Sequence, residues 1–409
     1  MRVGHPDEGT REVTGKRIDP TGTEPAVDRR EFLALAATLA GAFALPASAI
    51  PALAGAMAGA ARPPVVWLSF QECTGCTESL TRAFAPTLED LVFDFLSLDY
   101  HHTLQAASGE AAEAARLDTM ARHAGAYLVV VEGSVPTGAD GAFSAIAGQS
   151  NLAMLAETVA GAAAVLAAGS CSSFGGIASA RPNPTGAMGV GELMAAGLVP
   201  ERPLVNLPGC PPMPLALAGT LAYRLAFDAL PPLDDKKRPF AFYGATVHEG
   251  CDRYHFFVEG KFAESPDDDG ARNGWCLYKL GCRGPVTHNA CARFKWNGGV
   301  SFPVESGHPC IGCSEPGFWD GGGFYEKLSE EALAAAETGE TGPEAAGRTL
   351  YEDNCVYCHA ADPTALATEP EAVARLLAEG SIRAHSRFGF TPAELSDLTA
   401  YLEAKAKAP

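Results

Sequence analysis

The sequence predicts an α/β fold built on a parallel sheet, then an irregular cysteine-rich region, then a small all-α unit. Three observations predict it. Short apolar runs alternate with Ala-, Leu- and Glu-rich stretches of helical character through the first half of the chain. Beyond residue 248 that periodicity fails, and Gly, Pro, Asn and Trp become frequent. Helical patterning then returns near the C-terminus, around a C-x-x-C-H motif.

At 409 residues the chain is too long for one ordinary core, which predicts two or three domains. A hydrophobic content of 47% and a charged content of 19% describe a globular protein. The net charge of −19 argues against nucleic acid as a partner.

The N-terminus reads as a targeting segment. Residues 29–45 are RREFLALAATLAGAFAL, an Arg pair ahead of an apolar stretch, with Phe32 and Leu33 following it. ASA at 47–49 and ALA at 52–54 offer A-x-A cleavage sites. This is the pattern of a twin-arginine export signal over residues 1–54, with cleavage expected near 49–61. An uncut membrane anchor is the other reading, but Pro46 and Pro51 interrupt the span. Export implies the periplasm, with membrane association left open. Disulfides persist there, so twelve cysteines do not by number alone choose between disulfides and cofactors.

The strands follow in order. RPPVVWLSF (62–70) is apolar and β-branched, and it leads directly into ECTGCTES (72–79). Residues 110–124 and 148–161 read as helices. AYLVVVEGS (126–134), AAAVLAAGSCSSFGG (162–176) and RPLVNLPGCPP (202–212) repeat the form of an apolar run closed by glycine. Ligands of such sheets bind beyond the carboxyl ends of the strands. Cys73, Cys76, Cys171 and Cys210 all lie just past strand ends, so the topology should bring them to one edge. Four thiolates there suit an iron–sulfur cluster, with tetrahedral zinc as the alternative.

A second set of cysteines lies in the irregular region. His248, Cys251, Cys276 and Cys282 form one four-ligand group, and Cys291, Cys310 and Cys313 form a three-ligand group. A segment so poor in periodicity is expected to fold around bound metal. Three disulfides, with His248 at the surface, are the alternative.

ECTGCTES, GSCSSFGG, NLPGCPP, HEGC, WCLYKLGCRGP and SFPVESGHPCIGCSEPGFWD resemble the small subunit of [NiFe] hydrogenases, in order, over residues 64–322. The resemblance implies a flavodoxin-like domain over 62–235 and a cluster-binding domain over 236–325. It implies a proximal [4Fe–4S] cluster on Cys73, Cys76, Cys171 and Cys210. A distal [4Fe–4S] cluster would sit on His248, Cys251, Cys276 and Cys282, and a medial cluster on Cys291, Cys310 and Cys313. Some relatives add a cysteine in the 291–310 interval. Here Pro303 stands where it would be sought, so the medial cluster is expected to be [3Fe–4S]. Oxygen-tolerant relatives carry two more cysteines, at positions held here by Gly75 and Gly176. A standard proximal cluster and ordinary oxygen sensitivity follow. The Ni–Fe centre belongs to a separate large subunit, so no catalytic residue is expected on this chain.

Residues 326–347 read as a polar connector, and 348–409 resemble a small class I cytochrome c. Cys355 and Cys358 would carry the haem thioethers and His359 would be the proximal ligand. FTPAELSDLTAYLEAKA (390–406) has a helix start at Thr391-Pro392 and an apolar face of Leu395, Leu398 and Leu402. No methionine follows Met213, and HSRF places His385 where such domains offer one, so His385 is expected as the sixth ligand. These sets absorb all twelve cysteines. No twenty-residue apolar stretch follows residue 320, so no transmembrane helix is expected in the mature chain.

The reading is an electron-transfer subunit of a periplasmic hydrogenase, partnered by a large subunit and a downstream acceptor such as a cytochrome. A quinone-reductase-type iron–sulfur subunit would share the α/β domain but lack the His248–Cys313 region. An exported disulfide-rich binding protein is a third reading. His101 and His102 are expected at the surface. Glu72 is read as a structural or proton-conducting group, and Asn289 and His308 as groups that orient the cluster loops.

Overall fold

Why these runs become strands is visible in their burial. In a computed structural model, β1 (Pro64–Ser69), β3 (Leu128–Glu132) and β4 (Ala164–Ala168) are buried along their whole length. Strands covered on both faces need continuous apolar side chains rather than alternation, and VVWL, LVVV and AVLAA supply them. The structure describes residues 29–43, 45, 47–59, 62–320, 325–327, 347, 350–351, 370–378 and 390–407. Cys355, Cys358, His359, His385 and most of the 326–347 connector lie outside them.

The chain enters through helices α1 (Arg29–Ala42) and α2 (Ile50–Gly59). β1 then leads into α3 (Gly75–Thr81), β2 (Ser97–His101) and α4 (Gly109–Arg122). β3, α5 (Asn151–Val159), β4, α6 (Ser170–Phe174) and α7 (Val190–Ala195) follow. β5 (Leu204–Leu207) and α8 (Pro214–Phe227) complete the unit. These five strands pair in parallel, in the order β2-β1-β3-β4-β5. That is the flavodoxin-like order, whose switch point lies between β1 and β3. Alternate side chains feed two cores. Val65, Trp67, Leu128 and Val130 face α8, while Val66, Leu68, Val129 and Val131 face Leu155 and Leu193.

After α8 the elements shrink to single turns: α9 (Phe240–Tyr243), α10 (Tyr254–Val258), α11 (Asp269–Arg272) and α12 (Cys291–Phe294). Their core is small: Val247, Ala263, Leu277, Ala292, Phe302 and Val304 around Cys282. A buried ion network ties this region to the sheet. Arg238 reaches Asp234 at 2.7 Å and Glu315 at 2.9 Å, and Glu315 also accepts from the His288 backbone at 2.7 Å. Burial opposes ionisation of Glu315, but hydrogen bonds from His288 and the charges of Arg238 and Lys236 outweigh it and hold its pKa at about 2.

Near the C-terminus α13 (Pro370–Ala378) packs on α14 (Pro392–Lys407). The start expected at Thr391-Pro392 is a reciprocal cap. Glu394 N donates to Thr391 Oγ1 at 3.2 Å, and Thr391 N donates to Glu394 Oε2 at 2.7 Å. Leu395, Leu398 and Leu402 are buried, as the pattern required. Arg181 pairs with Glu394 at 2.6 Å and joins α14 to the sheet domain. Among the described residues no helix is long and apolar enough to cross a membrane.

Candidate cofactor sites

The strand-end cysteines do converge. Burial pushes the Cys76 thiol well above its ordinary pKa, and Glu132, Cys171, Cys73 and Cys210 all lie close enough to push it further. Cys171 is raised to about 11 by burial and then by Cys210. The backbone is shaped to admit the sulfurs. Gly169 closes β4 at φ +92°, and a Cβ there would stand 2.5 Å from Cys76 Sγ. Gly176 has φ +64°, and its Cβ would meet Cys171 Sγ at 2.5 Å. Gly75 is less confined, its nearest neighbour being Cys73 Sγ at 3.1 Å.

Glu132, which no sequence motif singled out, organises this edge. It closes β3 and is 1% exposed. Its Oε1 accepts from the backbone N–H of Cys76 at 2.9 Å and of Thr77 at 3.1 Å. Its Oε2 accepts from Trp67 Nε1 at 3.1 Å and from Thr77 Oγ1 at 2.5 Å. The available signal was a carboxylate ending an otherwise apolar strand, VVVE. Glu72 lies on the exposed side and contacts Thr74 at 3.4 Å. Burial and then the Glu132 charge raise its pKa.

His101 corrects an expectation. It is fully buried rather than at the surface, stacked on Trp67 with ring centroids 5.0 Å apart. Its Nδ1 accepts from the backbone of Thr103 at 3.1 Å and Leu104 at 3.3 Å, and its Nε2 lies 3.3 Å from Thr77 Oγ1. An indole face and two amide donors in the β2–α4 turn make room that no local pattern announces. His102 is half-buried, with Nδ1 accepting from Ser69 N at 3.0 Å.

The thiols of the three-cysteine set are half-buried. Burial lifts Cys291 and Cys313 to about 12 and Cys310 higher still. Asn289 sits against Cys291: its Oδ1 accepts from Cys291 N at 3.2 Å and Cys291 Sγ at 3.0 Å. His308 turns to Pro309 O at 2.9 Å and to the Tyr325 hydroxyl at 2.7 Å. Pro303 is exposed between buried Phe302 and Val304.

His248, Cys251, Cys276 and Cys282 line one pocket, together with Arg253, Tyr254, Leu277 and Val304. The His248 ring packs edge-on against Tyr254 and Phe257, at 5.0 and 4.6 Å. Burial raises all three thiols, Cys276 to about 11. Arg253, held by Trp275 O at 2.7 Å and Glu305 O at 3.2 Å, partly offsets this with its charge. Arg253 was not legible in the sequence because its partners come from 22 and 52 residues away.

The three sets touch in a fixed order. Ser170 Oγ, beside Cys171, donates to Cys313 O and accepts from Gly209 N at 2.8 Å. Cys310 N donates to Cys282 Sγ at 3.4 Å, and Arg283 N donates to Cys310 O at 2.8 Å. All ten described cysteines are free, which sets aside the disulfide reading for them. Among the described residues no three Cys, His, Asp or Glu side chains gather around a single-ion position. Thiols close enough to raise one another's pKa, with no single-ion position among the described residues, fit iron–sulfur clusters better than a zinc ion.

Fold and thiol sets together define an iron–sulfur electron-transfer protein. Two family models match in succession. Residues 73–224 match the family described as NADH ubiquinone oxidoreductase, 20 Kd subunit. Residues 243–326 match the C-terminal family of the NiFe/NiFeSe hydrogenase small subunit, the region a quinone-reductase-type protein would lack. The chain is 44% identical to the Hydrogenase-1 small chain of Citrobacter freundii, over 74% of this chain and 79% of that one. It is 44% identical to the periplasmic [NiFe] hydrogenase small subunit 1 of Nitratidesulfovibrio vulgaris, over 79% of this chain and 98% of that one. A reduced, active Ni-Fe-Se hydrogenase from Desulfomicrobium baculatum superposes with a TM-score of 0.62 at 34% identity, covering 66% of this chain and all of that one. The chain belongs to the [NiFe] hydrogenase small-subunit family.

Proposed function

We propose that this chain is the electron-transfer subunit of a periplasmic [NiFe] hydrogenase whose electron outlet is a haem c fused to its C-terminus. Cys73, Cys76, Cys171 and Cys210 hold a proximal [4Fe–4S] cluster. Cys291, Cys310 and Cys313 hold a medial [3Fe–4S] cluster, and His248, Cys251, Cys276 and Cys282 a distal [4Fe–4S] cluster. Cys355 and Cys358 anchor the haem, with His359 and His385 as axial ligands. When bound, these groups supply one-electron carriers between the Ni–Fe centre of a large-subunit partner and a downstream acceptor. The chain's own residues position and insulate them. Glu132 fixes the turn that carries Cys76, Asn289 fixes Cys291, and Arg253 places positive charge beside the distal thiols.

The observation that carries the reading is the unbroken succession of contacts from the Cys171 turn to Cys313, and from Cys310 to Cys282. Gly176 supports a standard proximal cluster, since a side chain there would collide with Cys171. Export by the twin-arginine route rests on the Arg29-Arg30 pair and the apolar stretch behind it.

The test is spectroscopic. The complex with its large subunit, reduced under hydrogen, should show haem c bands that reduce with hydrogen. The oxidised sample should show a [3Fe–4S] resonance. Haem that stays oxidised while the clusters reduce would remove the tail from the electron path. An optical spectrum unchanged in His385→Met would remove His385 as a ligand.

A further inference from the structure

The segment read as an export leader is not free of the folded body. Leu35, Ala36, Leu39 and Ala42 of α1 and Leu53 and Ala54 of α2 are buried in the same core as Leu217, Leu221 and Ala222 of α8. Gly219 floors the seat. A Cβ there would stand 3.3 Å from Phe242 Cζ and 3.7 Å from both Leu39 Cδ2 and Phe43 Cε2. Phe43 wedges between Tyr223 and Phe242, with ring centroids 4.6 and 5.3 Å away. The end of α1 is also gripped. Arg293 donates to the carbonyls of Gly41 and Ala42, both at 3.2 Å, satisfying acceptors that a helix end leaves open.

We propose that the leader is held in cis on the folded precursor, in a groove floored by Gly219 and closed by Arg293, and that this contact masks its apolar segment before export. The inference rests on the reading of residues 1–54 as a twin-arginine signal. The groove is apolar and the leader's buried face is Ala- and Leu-rich, so each hides surface that would otherwise meet water. The clasp has a further property. Arg293 lies on α12, the single turn that begins at Cys291, and Phe294 of the same turn packs 5.9 Å from Phe242. That turn has little core of its own and depends on what Cys291 binds. Masking is therefore strongest in a precursor whose cluster region is folded, and it must be undone before the apolar segment can enter a translocase.

Hydrogen exchange on the full-length precursor, isolated with its large subunit from export-blocked cells, tests this. Amides of residues 35–42 should exchange slowly in the wild type. Arg293→Ala and Gly219→Leu should each speed them about ten-fold or more, the second by filling the seat of Leu39 and Phe43. Cluster resonances should be unchanged in Gly219→Leu, and its leader should be cleaved faster on export. Wild-type exchange at the rate of an unstructured peptide, or protection that neither variant alters, overturns the docking. N-terminal sequencing of the exported chain separates the premises. A chain that retains residues 29–59 retires the leader reading, whatever the exchange data show about the groove.

Discussion

Cys310 donates its backbone N–H to the sulfur of Cys282 across 3.4 Å, so the three-cysteine set touches the set that contains His248. The contact depends on Arg283, whose N–H holds Cys310 O at 2.8 Å. Only main-chain atoms and one sulfur separate the two sets there. The equivalent link at the other end runs through Ser170 and Cys313.

Ser170→Ala should loosen that second link. It removes the donor to Cys313 O and leaves the buried Gly209 N–H without its acceptor. An unsatisfied buried donor costs about 1–3 kcal/mol. The expected result is a lower thermal midpoint and weaker magnetic coupling between the clusters proposed on the Cys171 and Cys313 sets, read by paramagnetic resonance. A midpoint within error of wild type would show that water or a neighbour replaces the hydroxyl.

Glu132→Gln should raise the reduction potential of the cluster proposed on Cys73, Cys76, Cys171 and Cys210. Removing a buried negative charge beside the Cys76 turn favours the more reduced, more negative cluster. The amide group would also face Trp67 Nε1, donor against donor, at a cost of about 1–3 kcal/mol. A redox titration of the purified complex reads the potential and a melting curve reads the stability. A lower potential would contradict the electrostatic argument.

His101 should make stability fall on mild acidification. Burial, then the neighbouring His102, lowers its pKa from 6.5 to about 4. Between those values the unfolded chain binds more protons than the native one, so stability rises with pH through the window and is lost as pH falls from 6.5 towards 4. The acceptor role of Nδ1 explains the sign, because a proton there would oppose the Thr103 and Leu104 amides. Thermal midpoints of wild type and His101→Gln, taken across this window, should show the flatter pH dependence in the variant. A dependence as steep as that of wild type would clear His101 of the effect.

Extraction of iron by a strong chelator should melt the chain unevenly. Residues 244–320 have a small core in which Cys282 itself takes part, whereas the sheet keeps two large apolar faces. Hydrogen exchange should therefore rise across 244–320 while β1, β3 and β4 stay protected. Uniform loss of protection would mean that the sheet also depends on its cluster.

Local chain pattern was enough to give the parallel sheet, the strand-end placement of Cys73, Cys76, Cys171 and Cys210, and the capped start of α14. The reason is local: apolar runs, closing glycines and a Thr391–Glu394 cap act through near neighbours in the chain. Spacing and family resemblance both grouped His248, Cys251, Cys276 and Cys282, and the structure sets these four around one pocket. It took the folded chain to bring Glu132 to the Cys76 turn 56 residues away, and Arg253 to the border of the His248 pocket. Folding likewise placed His101 in the interior and rested α1 on α8. Those contacts join residues from distant parts of the chain, and a buried charge or imidazole is stable only where several such segments together supply its partners.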